Sequence, residues 1–142
     1  MTHHPGAINI LSVTMEAEEA MARYSAVMAG TAIGQVKLTT GGNVQTFGIA
    51  QRKIETADVT AGGGKALVDV RLLGISKYIR SASTCTAHTW LEAEGADGHL
   101  LTATLTGAAT THNLVGLSLT TPDTDGDYGY VFLNLHHAMG AA

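Results

Sequence analysis

The sequence predicts an all-β fold: a small β-barrel with one short helix and an extended N-terminal arm. Three observations predict it. The chain holds 17 glycines in 142 residues, and all but Gly6 punctuate it from Gly30 onward. The runs between them are short and rich in alternating branched residues, the pattern of half-buried strands. One stretch also occurs twice in degenerate form. Phe47-Gly48-Ile49-Ala50 leads through a Gly-rich loop into Ala66-Leu67-Val68-Asp69-Val70-Arg71-Leu72. Val115-Gly116-Leu117-Ser118 leads through Thr121-Pro122-Asp123-Thr124-Asp125-Gly126-Asp127 into Tyr130-Val131-Phe132-Leu133-Asn134-Leu135. Two related strand pairs in a short chain point to a compact barrel, because the period is too long and the copies too few for a solenoid.

Taken in order, residues 1–7 carry no periodicity and read as a flexible start. Ile8 to Val13 is apolar on both faces, as in a strand covered on both sides, and residues 1–13 form the arm with its first strand segment. Glu16 to Arg23 has high helix propensity, acids early and Arg23 late, and reads as one or two helical turns. Strands are expected over Tyr24–Met28, Gly34–Leu38 and Val44–Gln51, with Thr40-Gly41-Gly42-Asn43 as a hairpin turn. Gly62-Gly63-Gly64 is a flexible connection before Lys65–Leu73, the strongest strand, which continues to Ile79 past a bulge at Gly74. Thr89–Glu94, His99–Thr106, Val115–Thr120 and Tyr128–Leu135 complete one barrel domain over residues 14–137. Residues 138–142 form a tail.

Composition narrows function. Charged residues make up only 14% of the chain, against about 25% in typical soluble domains. Such a surface is expected to be partly covered by copies of the chain or by a larger partner. No apolar run approaches the roughly 18 residues of a membrane-crossing helix, and no secretory leader is recognisable. The net charge of −4, with only eight Lys and Arg, argues against a nucleic-acid partner, which needs clustered positive charge. The single cysteine, Cys85, cannot form an internal disulfide, and synthesis in a cytoplasm fits this.

No motif carries chemistry. His3-His4 and His136-His137 are adjacent pairs near the ends, and His88, His99 and His112 are isolated. Adjacent strand residues point to opposite faces, so no metal site is expected. In Asp123-Thr124-Asp125-Gly126-Asp127 the glycine falls fourth, where an EF-hand needs it sixth with a closing Glu at twelve, so a polar turn is expected instead. Gly62-Gly63-Gly64-Lys65 lacks phosphate-loop spacing. Cys85 and His88 cannot face each other on a strand, and Cys85 reads as an inert thiol. No nucleophile elbow and no paired carboxylates stand out. The chain therefore reads as a non-enzyme without cofactor or metal. Trp90, the only tryptophan, reads as a core or subunit-contact anchor.

An ordered series of segments resembles the capsid cement, or head decoration, proteins of tailed bacteriophages. It runs from a Thr-containing strand, Ile10–Thr14, through an Ala-rich segment to Val36-Lys37-Leu38-Thr39-Thr40-Gly41-Gly42. Phe47-Gly48-Ile49-Ala50-Gln51, Gly64 to Leu72 and Leu73-Gly74-Ile75-Ser76-Lys77 follow, then Val115-Gly116-Leu117 and Gly126-Asp127 with the final strand. Together these cover residues 8–135. The resemblance implies a β-barrel or β-tulip domain on the outside of an icosahedral head, a homotrimer that clamps the major capsid protein and stabilises the shell. Ile8, Ile10, Leu11, Val13 and Trp90 are then the expected capsid or intersubunit contacts, and neither nucleic acid nor membrane is a partner. The chain departs from the pattern in its acidic Glu16, Glu18 and Glu19 and in its His-bearing tail. The alternative is a β-sandwich adhesion or carbohydrate-binding module, free or displayed on a virion. A hydrolase or metal enzyme would require Cys85, His88 and the Asp123 turn to converge with distant partners.

Overall fold

A computed structural model of the chain describes residues 6–41, 45–81, 84–105 and 111–139. Among the described residues it holds nine strands and one helix: β1 (Ile8–Ala17), β2 (Ala26–Ala29), β3 (Gln35–Leu38), β4 (Gly48–Ala50), α1 (Thr56–Ala61), β5 (Leu67–Ile79), β6 (Trp90–Glu94), β7 (His99–Thr102), β8 (Thr111–Ser118) and β9 (Tyr128–Met139). The mainly-β expectation holds.

The long strand β5 organises the molecule. Its first part pairs antiparallel with β1 on one edge and with β4 on the other, and its last residues pair with β9. β1 also runs parallel beside β3, which pairs with β2, which pairs with β4. The ladder β1-β3-β2-β4-β5 thus returns to β1 and closes a ring. From the other end of β5 the sheet continues through β9, β8, β6 and β7. It curls until Arg80 bridges Leu100 of β7, where the Ser81 N–H donates to the Leu100 carbonyl at 2.9 Å.

Each half has its own core. Val27, Val36, Ala50, Ile54, Val68 and Val70 pack with Met21 inside the first ring. Ile49, Tyr78, Leu91, Leu100, Val115, Val131 and Leu133 pack with Cys85 in the second. The repeated stretch is visible in this layout. β4–β5 and β8–β9 are both antiparallel pairs, joined by the β5–β9 ladder. The two repeat glycines play one part: a Cβ on Gly48 would collide with the Arg71 carbonyl, and one on Gly116 with the Phe132 carbonyl. Each lets the long strand of its pair approach closely.

Several local expectations are corrected. Glu16–Arg23 contains no helix. β1 runs to Ala17, and Met21 bridges Ile54. The acids that favoured a helix serve distant backbone: Glu18 Oε2 accepts from the Thr31 N–H at 2.7 Å and Glu19 Oε1 from the Leu38 N–H at 2.8 Å. These tertiary bonds override a weak propensity. The helix lies instead at Thr56–Ala61, where Asp58 Oδ2 accepts the Glu55 N–H at 3.0 Å. Thr40–Asn43 does not join neighbours in a hairpin, since β2 lies between β3 and β4; Gly42 and Asn43 fall outside the described residues. The ladder shifts occur beside Gly74, at Ile10 of β1 and Leu72 of β5. Gly74 itself has φ 120° and admits the Ile8 carbonyl where a side chain would clash. β1 crosses the expected arm boundary at residue 13, and β9 crosses the expected tail boundary at 137. His136 and His137 are strand residues, opposite Leu114 and Asn113.

Candidate interaction surface

The pairing registers place one apolar row across five strands. Ile8 of β1 lies opposite Ile75 of β5, Ile75 opposite Phe132 of β9, Phe132 opposite Leu117 of β8, and Leu117 opposite Trp90 of β6. Directly opposed ladder residues share a face. Their strand neighbours Ser76, Val131, Leu133, Gly116 and Leu91 are buried, so the row points away from the core. Ile8 is 52% exposed and Phe132 39%, while Ile75, Leu117 and Trp90 are half-buried. Leu11, 50% exposed, stands opposite exposed Leu73 beside the row.

The fold therefore brings Ile8 and Trp90, 82 positions apart in sequence, onto one row. Leu11 joins it at the side, and Ile10, 60% exposed, sits at the β1 register shift. Val13 is half-buried against the first core. The expectation that Ile8–Val13 is covered on both sides differs from what is seen, because the register shift leaves Ile8, Ile10 and Leu11 open to solvent within the monomer. Sequence reading missed Ile75, Leu117 and Phe132. A signal for Phe132 was present: Tyr128, Tyr130 and Phe132 alternate along one strand, which places three aromatic side chains on one face.

Those tyrosines form a second feature. Lys77 Nζ lies 5.8 Å from the ring centroids of Tyr24, Tyr128 and Tyr130 alike. Tyr24 packs edge-on to Tyr128 at 5.4 Å, and the Arg23 guanidinium sits 4.8 Å from the Tyr24 ring. Beside them opens a cavity of about 510 Å³, which the Asp123–Asp127 turn also lines.

The remaining chemical candidates stay apart. Cys85 is buried and its thiol donates to the Leu100 carbonyl at 3.0 Å; burial pushes its pKa up, opposite to what a nucleophile needs. His88 is exposed, and among the described residues the two share no hydrogen bond. The Asp123 segment is the turn between β8 and β9, where Asp127 Oδ2 accepts the Thr124 N–H at 3.0 Å and Gly126 takes φ 81°. That backbone bond, with the Thr124 side chain, holds the Asp127 carboxyl below its ordinary pKa. His112 is buried, with Nδ1 2.7 Å from Glu92 Oε2. No cluster of three or more His, Cys, Asp or Glu able to hold a metal occurs among the described residues. His3 and His4 lie outside them.

A nine-stranded sheet closed around β5, with an apolar row on its outside, defines a class of small β-barrel domains. One solved structure shares this architecture over nearly its whole length: the crystal structure of the N-terminal base of head fibre gp8.5 in bacteriophage phi29. The likeness has a TM-score of 0.59 at 15% identity and covers 87% of this chain and 93% of that one. No family model and no curated protein matches the sequence.

Proposed function

We propose that this chain is a structural protein of a bacteriophage head, a decoration protein that docks on the outer surface of the major capsid protein and stabilises the shell. The observation that carries the reading is the near-complete overlap with the base domain of a phage head fibre. The row from Ile8 to Trp90 supplies what such a role needs: a broad apolar strip on a rigid sheet, suited to many equivalent contacts multiplied by symmetry. Low charge density fits a surface that is largely covered in the assembled particle. Self-association into trimers belongs to the same reading.

The test compares heads with and without saturating protein. A ligand that binds only the assembled state stabilises it by mass action, so decorated heads melt at higher temperature. Phe132→Glu places a charge in the middle of the row on an exposed side chain. It is expected to leave the fold intact and to weaken head binding by roughly 100-fold, about the cost of desolvating an unpaired charge in an apolar contact. Equal melting of bare and decorated heads overturns the decoration role. Full binding by the Phe132 variant overturns the row as its docking face.

A further inference from the structure

We infer that the cavity ringed by Tyr128, Tyr130, Lys77, Thr121, Asp123 and Asp127 is a binding site for a neutral sugar ring. Its size, about 510 Å³, lies within the range of small-ligand sites. Its lining is chemically mixed in the manner such a ligand requires. Tyr128 is 56% exposed, so one ring stands open as an apolar platform for the C–H face of a pyranose. Asp123 and Asp127 are exposed, line the cavity and can accept hydrogen bonds from ring hydroxyls, while Lys77 and the Thr121 hydroxyl can donate to them.

Charge decides among ligand classes. Two carboxylates at the rim repel phosphate and other anions. A cationic ligand finds the place among the tyrosine rings taken by Lys77, which approaches three of them equally. An uncharged polyhydroxylated ring meets neither obstacle.

The site is also held in shape before any ligand arrives. Tyr128 is braced edge-on by Tyr24, whose backbone sits in the left-handed region at φ 71°. A bulky residue is strained there and persists only where the surroundings enforce it; here the Tyr24 N–H donates to the Ala50 carbonyl at 2.8 Å. The far wall is fixed by Arg80, which donates to the Pro122 carbonyl at 2.8 Å, and by Thr121 Oγ1, which accepts the Ala87 N–H at 2.9 Å. Preorganisation of this kind lowers the ordering cost of binding. Tyr130 lies two positions from Phe132 on β9, so the cavity adjoins the middle of the apolar row on its side toward the β8–β9 turn.

The experiment is an NMR titration of the free, full-length protein with methyl glycosides of glucose, galactose, mannose and N-acetylglucosamine, and with glycerol as a polyol control. At least one glycoside is expected to shift the Tyr128 and Tyr130 ring signals with saturation near a Kd of about 1–10 mM, the range of a single shallow contact. Tyr128→Ala should lower that affinity at least 10-fold with an unchanged melting temperature. Asp123→Asn, on an exposed turn, provides a second variant with the same expectation should Tyr128→Ala not fold. Absence of saturating shifts with every glycoside overturns the proposal, as do shifts that survive both variants or that glycerol reproduces. Because no capsid is present, failure here is distinct from failure of the decoration role.

Discussion

The two halves that share β5 are built on different interiors. The first ring is filled mainly by aliphatic side chains, Val27, Val36, Val68 and Val70 among them, with Met21 and half-buried Phe47 packed beside them. The second encloses polar atoms as well. Tyr78 Oη lies 3.1 Å from Ser118 Oγ, which donates to the Thr120 carbonyl at 2.7 Å, and the Cys85 thiol donates to the Leu100 carbonyl. Aliphatic packing tolerates volume-conserving exchange, whereas a buried hydrogen-bonded chain demands particular partners. The more specified half also carries most of the candidate surface: four of the five row residues lie in the β5–β9, β8 and β6 ladders. A rigid interior under a contact face keeps the face in one shape.

The strongest way to break the comparison is to block the close approach of backbones that each half requires. Gly116→Val should drive a side chain into the Phe132 carbonyl and Gly48→Val into that of Arg71, and Gly74→Val meets both the Ile8 carbonyl and a positive φ. Each is expected to cost about 3 kcal/mol or more, the range of severe overpacking and enforced strain. Gly74 should be the worst, since it stands where β1, β5 and β9 meet. Because β5 belongs to both cores, one unfolding transition is expected for every variant that folds. Two separated transitions for Gly116→Val in thermal denaturation would show that the halves fold independently.

The same contrast explains what was legible in the sequence. Strands with strong alternation, Leu67–Ile79 and Trp90–Glu94, declare themselves because burial on one face dictates the pattern. The helix was misplaced because Glu16, Glu18 and Glu19 resemble a helix start, while Thr31 and Leu38, the true partners of Glu18 and Glu19, become neighbours only after folding. Thr56–Ala61 has no helix-favouring composition beyond two alanines and forms where Asp58 caps it. The contact row was legible only in fragments. Ile8 and Leu11 stand out in a strand apolar on both faces and Trp90 as the only tryptophan, but their alignment depends on register, which no local pattern encodes. The first strand is more than an arm. Residues Ile8–Val13 pair with β5 and help close the ring, so point substitutions probe the row better than truncation.

A smaller effect sharpens the difference between the cores through pH. Burial holds the Tyr78 phenol and the Cys85 thiol above their ordinary values of 10.0 and 9.0, while among the described residues the first apolar cluster includes no titratable side chain. Below pH 9 both groups are protonated in the folded and unfolded chains, and they add no pH dependence. As pH rises past 9 and then 10 the unfolded chain releases protons that the folded chain retains, so stability falls until the raised folded values are reached. The slope approaches about 1.4 kcal/mol per pH unit for each fully shifted group. Chemical denaturation between pH 8 and 11 should show this loss, and Tyr78→Phe should remove the part that begins near pH 10. An unchanged profile in that variant would assign the alkaline sensitivity to groups other than Tyr78.

The smallest expected effect lies on the first half, at the helix that sequence reading missed. Asp58 accepts the Glu55 N–H and lies 3.9 Å from the Arg52 guanidinium, which also donates to the Lys65 and Leu67 carbonyls at 3.0 Å each. The helix is six residues long and fully buries none of them, so only this cap, the Arg52 clamp and the half-buried Val59 against the first core hold it. Isolated helices of this length are unstable in water. Asp58→Ala should therefore release α1 while costing the whole domain only about 0.5–1 kcal/mol, the worth of a helix cap. Amide exchange at Glu55–Ala61 should accelerate strongly, with Val68 and Val70 of β5 as well protected as before. The ion pair with Arg52 is half-exposed and adds little, so raising the salt concentration should not reproduce the change. If exchange in β5 accelerates together with α1, the helix is part of the ring's cooperative unit rather than a cover laid upon it.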